Sequence, residues 1–194
     1  MSVEPRQAAS LILLRDGADG AEVLLVQRNP AQRFMGGAWV FPGGAVHDGD
    51  DTDHAAAAVR ELEEEAGIEL PPDTELVPFS RWITPEEEGA TIRFDASFFA
   101  ARAPDGAEAI PDGGECLDAR WMTPAAALEA GARGEMMVVF PTVKHLELLA
   151  ETPSVNATLA AARERPVEPI LPKVVTRDGG WSVLLPGEPG YDDL

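Results

Sequence analysis

Apolar and polar residues alternate along this chain in blocks short enough to be the strands and helices of one mixed domain. Ala8–Leu14 and Val23–Val26 are apolar runs of strand length on either side of Asp16-Gly17-Ala18-Asp19-Gly20, which predicts an opening hairpin. Gln27–Gly37 reads as a loop and Trp39–Phe41 as a short strand. The period then changes to that of a helix: Ala55, Ala58, Leu62 and Ala66, with Val59 beside them, make one apolar face. Asp51 or Asp53 is placed to cap the first turn, and Gly67 to end the last in a left-handed conformation.

Pro71-Pro72-Asp73 predicts a turn, followed by strands at Leu76–Thr84 and Ile92–Ala101, a polar loop over Pro104–Glu115 and a strand at Leu117–Met122. Thr123-Pro124 opens a helix as cap and first helical residue. Pro141–Glu151 is a second helix, with Val143, Leu146 and Leu149-Ala150 as its stripe and His145 as a surface or packing residue. Asn156–Arg165 is a third. Strands mixed with helices define the class as α/β (α+β). The pattern divides into a main domain over 1–165 and an extension over 166–194. The extension holds five of the 17 prolines and a second hairpin, Val174–Thr176 and Trp181–Leu185. Trp181, Val183, Leu184 and Leu185 are too apolar to stay in water. They are expected to pack on this domain or on a partner subunit, in which case the protein is a homodimer.

A chain of 194 residues is long enough for a substantial core. Its 15 Lys and Arg against 34 Asp and Glu leave a formal net charge of −19, which opposes nucleic acid or an anionic membrane as partner. Cys116 stands alone, so no disulfide forms within the chain, and a reducing cytoplasmic setting fits. A small buried hydrophobe is its expected role. Neither a signal-like N-terminus nor a run of membrane-spanning length is present in these residues.

The charge is not spread evenly. Glu61, Glu64 and Glu65 stand at helical spacings of three and four, opposite the apolar face. Like charges so placed repel, and carboxylates near a helix C-terminus oppose its dipole. Glu63 adds to the same turn, and Arg60 is the nearest cation in sequence. An ordinary solvated acidic face is one reading. The other is a set of oxygen ligands for Mg²⁺ or Mn²⁺, which would remove the repulsion.

Phe41-Pro42-Gly43-Gly44 ahead of the helix favours the second reading. With it, the sequence resembles the Nudix hydrolases, whose box runs G-x5-E-x7-R-E-U-x-E-E-x-G-U, U being a bulky aliphatic residue. Gly44 matches the first glycine, and Arg60-Glu61-Leu62-Glu63-Glu64-Glu65-Ala66-Gly67-Ile68 matches the second half throughout. Asp50 replaces the first glutamate, and nine residues rather than seven separate it from Arg60. The resemblance implies a mixed sheet sandwiched between helices over roughly residues 8–150. It also implies divalent-metal-dependent cleavage of a phosphoanhydride in a small nucleotide-type substrate. Glu61, Glu64 and Glu65 would then be metal ligands, and Glu64 or Glu65 the proton acceptor from water. Arg60 would orient the carboxylates, and Asp50 would be an additional ligand. A base outside the box is also known in the family, for which Glu86, Glu87, Glu88 and Glu115 are candidates.

Leu24–Gly44 is similar to the extended motif of the coenzyme A diphosphatases, L-L-T-x-R-[SA]-x3-R-x3-G-x3-F-P-G-G. Arg28, Arg33, Gly37 and Phe41–Gly44 fall in register, while Val26 and Asn29 depart from it. By this resemblance Arg28, Arg33, Gly43 and Gly44 bind substrate. The arginines would hold the 3′-phosphate or the diphosphate of coenzyme A. Arg81-Trp82-Ile83-Thr84-Pro85 and the helix after Pro141 resemble the branch acting on coenzyme A esters. The competing expectations are an ADP-ribose, NADH or nucleotide hydrolase of the same fold, and a sensor that binds a nucleotide without cleaving it.

Overall fold

Leu11, Ile12, Leu13 and Leu14 are consecutive and all buried. A strand buries alternate side chains on opposite faces, so this one must be covered on both. The protein is described by a computed structural model, in which residues 3–47, 53–86, 91–177 and 180–193 are described. The strand in question is β1 (Arg6–Gly17), which forms a hairpin with β2 (Gly20–Arg28). Both run further toward the turn than the apolar pattern alone indicates, because ladder pairing continues to Gly17 opposite Gly20.

The main sheet has the order β3-β2-β1-β6-β5-β8, with β4 also paired to β1 and β7 to β2. Here β3 is Trp39–Val40, β4 Gly43–Ala45, β5 Val77–Ile83, β6 Phe94–Arg102, β7 Cys116–Met122 and β8 Pro169–Ile170. The central β1–β6 pair is parallel, as is β5–β8, and the remaining pairs are antiparallel. The sheet is therefore mixed, and helices lie on both sides of it. Helix α1 (His54–Ala66) covers the face of Leu11, Leu13, Leu24 and Val26. The opposite face of Ile12, Leu14, Val23 and Leu25 packs with α2 (Pro124–Ala132), α3 (Phe140–Ala150) and α4 (Val155–Glu164). This is the expected sandwich.

Two elements escaped the apolar pattern. β4 is too rich in glycine and β8 too short to carry a period. On α3 the inward stripe is Thr142, His145, Leu146 and Leu149, so His145 is a packing residue and not a surface one. Its Nε2 lies 2.6 Å from Ser80 Oγ, and Phe41, Phe79, Trp82 and Phe98 surround the ring. Burial pushes its pKa down to about 3, which keeps the imidazole neutral. The two segments around Trp82 and after Pro141 thus meet, on the side of the sheet away from α1.

The extension is tied to the main sheet by β8, whose Pro169 and Ile170 pair with Arg81 and Trp82 of β5. Its hairpin, β9 (Lys173–Arg177) and β10 (Gly180–Leu184), forms a separate two-stranded sheet. Val175 is buried, Lys173 Nζ donates to the Tyr191 carbonyl, and Tyr191 Oη donates to that of Leu171. Removing residues 167–194 takes away β8 and this hairpin together. We expect that truncation to lower the melting temperature in a calorimetric scan; an unchanged value would show that the segment adds nothing to the fold.

Candidate functional site

Helix α1 is capped as its sequence indicates. Asp53 Oδ1 accepts from the amides of Ala55 and Ala56 at 2.9 and 3.4 Å, and Gly67 closes the helix with φ 65°. Its buried face differs from the expectation. Ala57 is buried and Ala55 only half-buried, and Glu61 and Glu65 join Ala58, Leu62 and Ala66 on the inward side. Two of the three box carboxylates therefore stand at the edge of the core, and Glu64 alone faces solvent. The picture of an acidic face lying wholly across from the apolar one is corrected: Glu61 and Glu65 share the buried side of α1, against Gly44 and Gly43 of β4.

The glycine pair makes this burial possible. β4 lies antiparallel to β1, with Gly43 opposite Ser10 and Gly44 opposite Ala9. A side chain on Gly44 would overlap the Glu61 carboxylate, and one on Gly43 would run into Ser10 Oγ. The Gly43 amide donates to Glu65 Oε2 at 2.9 Å. Glycine is required here because a backbone comes within hydrogen-bonding reach of a helix side chain.

Each box residue has a defined place. Arg60 Nη1 donates to Glu61 Oε1 and to Glu64 Oε2, both at 2.9 Å, and Nη2 donates to the Ala45 carbonyl at 3.1 Å. It therefore ties the helix to β4 and orients two carboxylates. Arg28, at the end of β2, places Nη1 3.9 Å from Glu65 Oε1. Sequence spacing could not reveal this second cation. Cys116 is buried, as expected, and its thiol lies beside Glu65. Burial first, and then the Glu65 charge, push the thiol pKa up, so no reactive thiolate forms.

Among the distant glutamates, Glu115 immediately precedes β7, and its charge is the least of those that raise the Glu61 pKa. Glu86 instead pairs with Arg93 Nη1 at 3.2 Å. Arg33 is exposed in the loop before β3. Asp50, Glu87 and Glu88 lie outside the described residues.

Electrostatics mark Glu65 as the tense point. Burial raises its pKa to about 7, and Glu61 pushes the same way, while the Gly43 amide and Arg28 only partly oppose them. Glu61 is raised too, again chiefly by burial and against the pull of Arg60. Among the described residues, no group of three His, Cys, Asp or Glu side chains stands ready to hold a metal ion; Glu61 and Glu64 are both turned to Arg60. The donor set nonetheless suits a hard divalent cation. It is all carboxylate oxygen, and Glu65 Oε1 is buried with no hydrogen-bond partner among the described residues.

Comparison with known proteins agrees with this geometry. The family model for the NUDIX domain matches residues 4–142, and the chain belongs to the Nudix hydrolases. That places it among enzymes that split phosphoanhydrides. Human acyl-coenzyme A diphosphatase NUDT19 is 24% identical over 274 aligned positions, spanning 90% of this chain and 73% of that protein. The uncharacterized Nudix hydrolase NudL of Klebsiella aerogenes is 46% identical over 70 residues, which are 36% of this chain and 54% of that one. Among solved structures, a Nudix hydrolase from Alicyclobacillus acidocaldarius superposes with a TM-score of 0.73 at 26% identity. That match covers 81% of this chain and 96% of the other. No helix among the described residues is long and apolar enough to cross a membrane.

The buried carboxyl makes stability depend on pH. Glu65 is protonated in the folded protein at pH values where the unfolded chain is already ionised, so the proton favours the fold. Its stabilisation is complete below the ordinary carboxylate range and is lost as pH rises through about 7. Glu65→Gln, neutral at every pH, should therefore gain melting temperature over the parent at pH 8 and much less at pH 5, with chelator present. Equal differences at both values would reject the raised pKa.

Proposed function

We propose that the protein hydrolyses the diphosphate of coenzyme A or of an acyl-coenzyme A, giving 3′,5′-ADP and a (acyl-)4′-phosphopantetheine, with Mg²⁺ or Mn²⁺ as cofactor. The observation that carries this reading is Arg28, whose guanidinium stands against the buried carboxylate of Glu65. Arg28 and Arg33 occupy the positions at which the sequence resembles the coenzyme A diphosphatases. The name of the human relative points the same way.

Glu61, Glu64 and Glu65 are the residues that would hold the cation. When bound, it supplies charge neutralisation for the phosphate oxygens and lowers the pKa of an attacking water. The chain's own residues do the rest. Arg60 keeps Glu61 and Glu64 on one side of α1. The Gly43 amide fixes Glu65, which offers Oε1, ion-paired with Arg28 but not hydrogen-bonded among the described residues, as ligand or proton acceptor. Arg28 adds positive charge where a diphosphate must lie next to carboxylates. With a net charge of −19, a polyanionic substrate needs such local cations.

Position separates the two arginines. Arg28, beside the box, suits the scissile diphosphate, whereas exposed Arg33 suits the 3′-phosphate further out. Arg33→Ala should then lower kcat/KM on coenzyme A by roughly ten- to a hundredfold and spare dephospho-coenzyme A. Arg28→Ala should harm both substrates alike. A panel of coenzyme A, an acyl ester, ADP-ribose and NADH decides the substrate. Turnover of ADP-ribose with none of coenzyme A would sink the assignment and leave a Nudix hydrolase of other specificity.

Replacing Glu64 or Glu65 by Gln should each lower turnover by orders of magnitude while the circular dichroism of the fold is kept. Full activity in both variants would mean that the cation is held elsewhere.

A further inference from the structure

The strand that steadies Glu65 has little with which to anchor itself. β4 is Gly43, Gly44 and Ala45, paired with Ser10, Ala9 and Ala8 of β1. Two glycines bring no side chain to pack, and their backbone is the freest of any residue. Yet the Gly43 amide must hold its place to donate to Glu65 Oε2 at 2.9 Å. The grip comes from the residues just ahead. Pro42 has a fixed φ, is fully buried, and its carbonyl accepts from the Leu11 amide at 2.9 Å. Phe41 is 2% exposed and sends its ring to the face of the sheet away from α1, into the cluster of the second helical layer. It is the last aromatic side chain before the glycines, and what it rests on decides where they lie.

Phe41 rests on His145. The two rings meet edge to face, with centroids 5.6 Å apart, and Phe98 lies 4.4 Å from the imidazole and 6.4 Å from Phe41. Phe79 and Trp82 close the other sides, each at 5.7 Å. An apolar residue would fill this cage without the cost of burying a polar ring. His145 Nδ1 is buried and has no hydrogen-bond partner among the described residues. Native structures hold few buried polar atoms in that condition, and each calls for an account. What imidazole adds is one hydrogen bond, 2.6 Å between Nε2 and Ser80 Oγ of β5. That bond fixes the plane of the ring, and with it the edge that Phe41 meets.

We propose that His145, oriented by Ser80, is a positioning residue of the box, acting through Phe41 on the Gly43 amide and so on Glu65. A helix on the far side of the sheet is thereby coupled to the carboxylates of α1. The inference rests on the box being the cation site of the proposed function.

The full chain tests this in three readouts: the Gly43 amide proton by nuclear magnetic resonance, Mn²⁺ binding by titration calorimetry, and kcat and KM on the substrate that is turned over. All are taken well below the melting temperature of each variant. His145→Ala should move the Gly43 resonance upfield, as a lengthened hydrogen bond does. It should also weaken Mn²⁺ binding and lower kcat, each about three- to tenfold, with little change in KM. His145→Phe, which keeps a ring against Phe41, should restore part of all three. Val155→Ala opens a cavity in the same cluster from α4, so it should lower the melting temperature and leave the three readouts as in the parent. Should His145→Ala fail to fold, Ser80→Ala takes its place, freeing the ring without removing it, with the same changes in smaller measure. A folded His145→Ala protein with Gly43 and kcat unmoved, or equal changes from Val155→Ala, would overturn the proposal. A Gly43 resonance and Mn²⁺ affinity that follow His145 in a protein that cleaves no anhydride would instead defeat the functional reading and uphold the positioning.

Discussion

Two carboxylates at the edge of a hydrophobic core are the constraint on which the rest of this structure depends. Glu61 and Glu65 lie on the inward side of α1, where burial and mutual repulsion both disfavour their ionised forms. Such a pair persists only where surrounding groups offset the cost. The Gly43 amide, Arg60 and Arg28 do so in part, and Oε1 of Glu65 still has no hydrogen-bond partner among the described residues. Nudix enzymes generally depend on a divalent metal, and on the proposed function these carboxylates would hold it.

Several features away from the helix follow from this constraint. The first two positions of β4 suit glycine because a side chain at Gly44 would displace the Glu61 carboxylate and one at Gly43 would run into β1 at Ala9 and Ser10. β2 must end at Arg28, close to Glu65, for a positive charge to reach the buried pair. The ladder between β2 and β7 must slip at Leu117 for the small Cys116 to fit beneath α1. A leucine there would compete with Glu65 for space. The second helical layer closes the other face of β1, where His145 is held neutral among aromatic rings.

Charge is used at two scales. Over the surface, the excess of acid repels polyanions of every kind. Locally, Arg60 and Arg28 set positive charge among the more numerous box carboxylates, and Arg33 stands in the loop that follows β2. On the proposed function, these arginines and a bound cation would together supply the attraction that a phosphorylated substrate needs.

Much of this was legible in the sequence. The Leu11–Leu14 run required a doubly covered strand, the period from Ala55 to Ala66 gave the helix, and Asp53 and Gly67 marked its ends. The run Arg60–Ile68, with Phe41–Gly44 ahead of it, carried the resemblance to the family, and the NUDIX domain match over residues 4–142 bears it out. These features depend on neighbours in the chain, which a linear pattern records. Other facts depend on the angle and depth at which α1 meets β1 and β4, and no local period encodes those. Which glutamates are buried, why Gly43 and Gly44 lack side chains, and how Arg28 comes within 3.9 Å of Glu65 belong to that second kind. So does the bulge at Leu117, since a one-residue slip changes which face a side chain takes without changing the residues themselves. The sequence by itself determined the elements and the chemical groups available. Only the tertiary structure decided which of those groups lost their water, because desolvation is set by contacts between segments far apart in the chain.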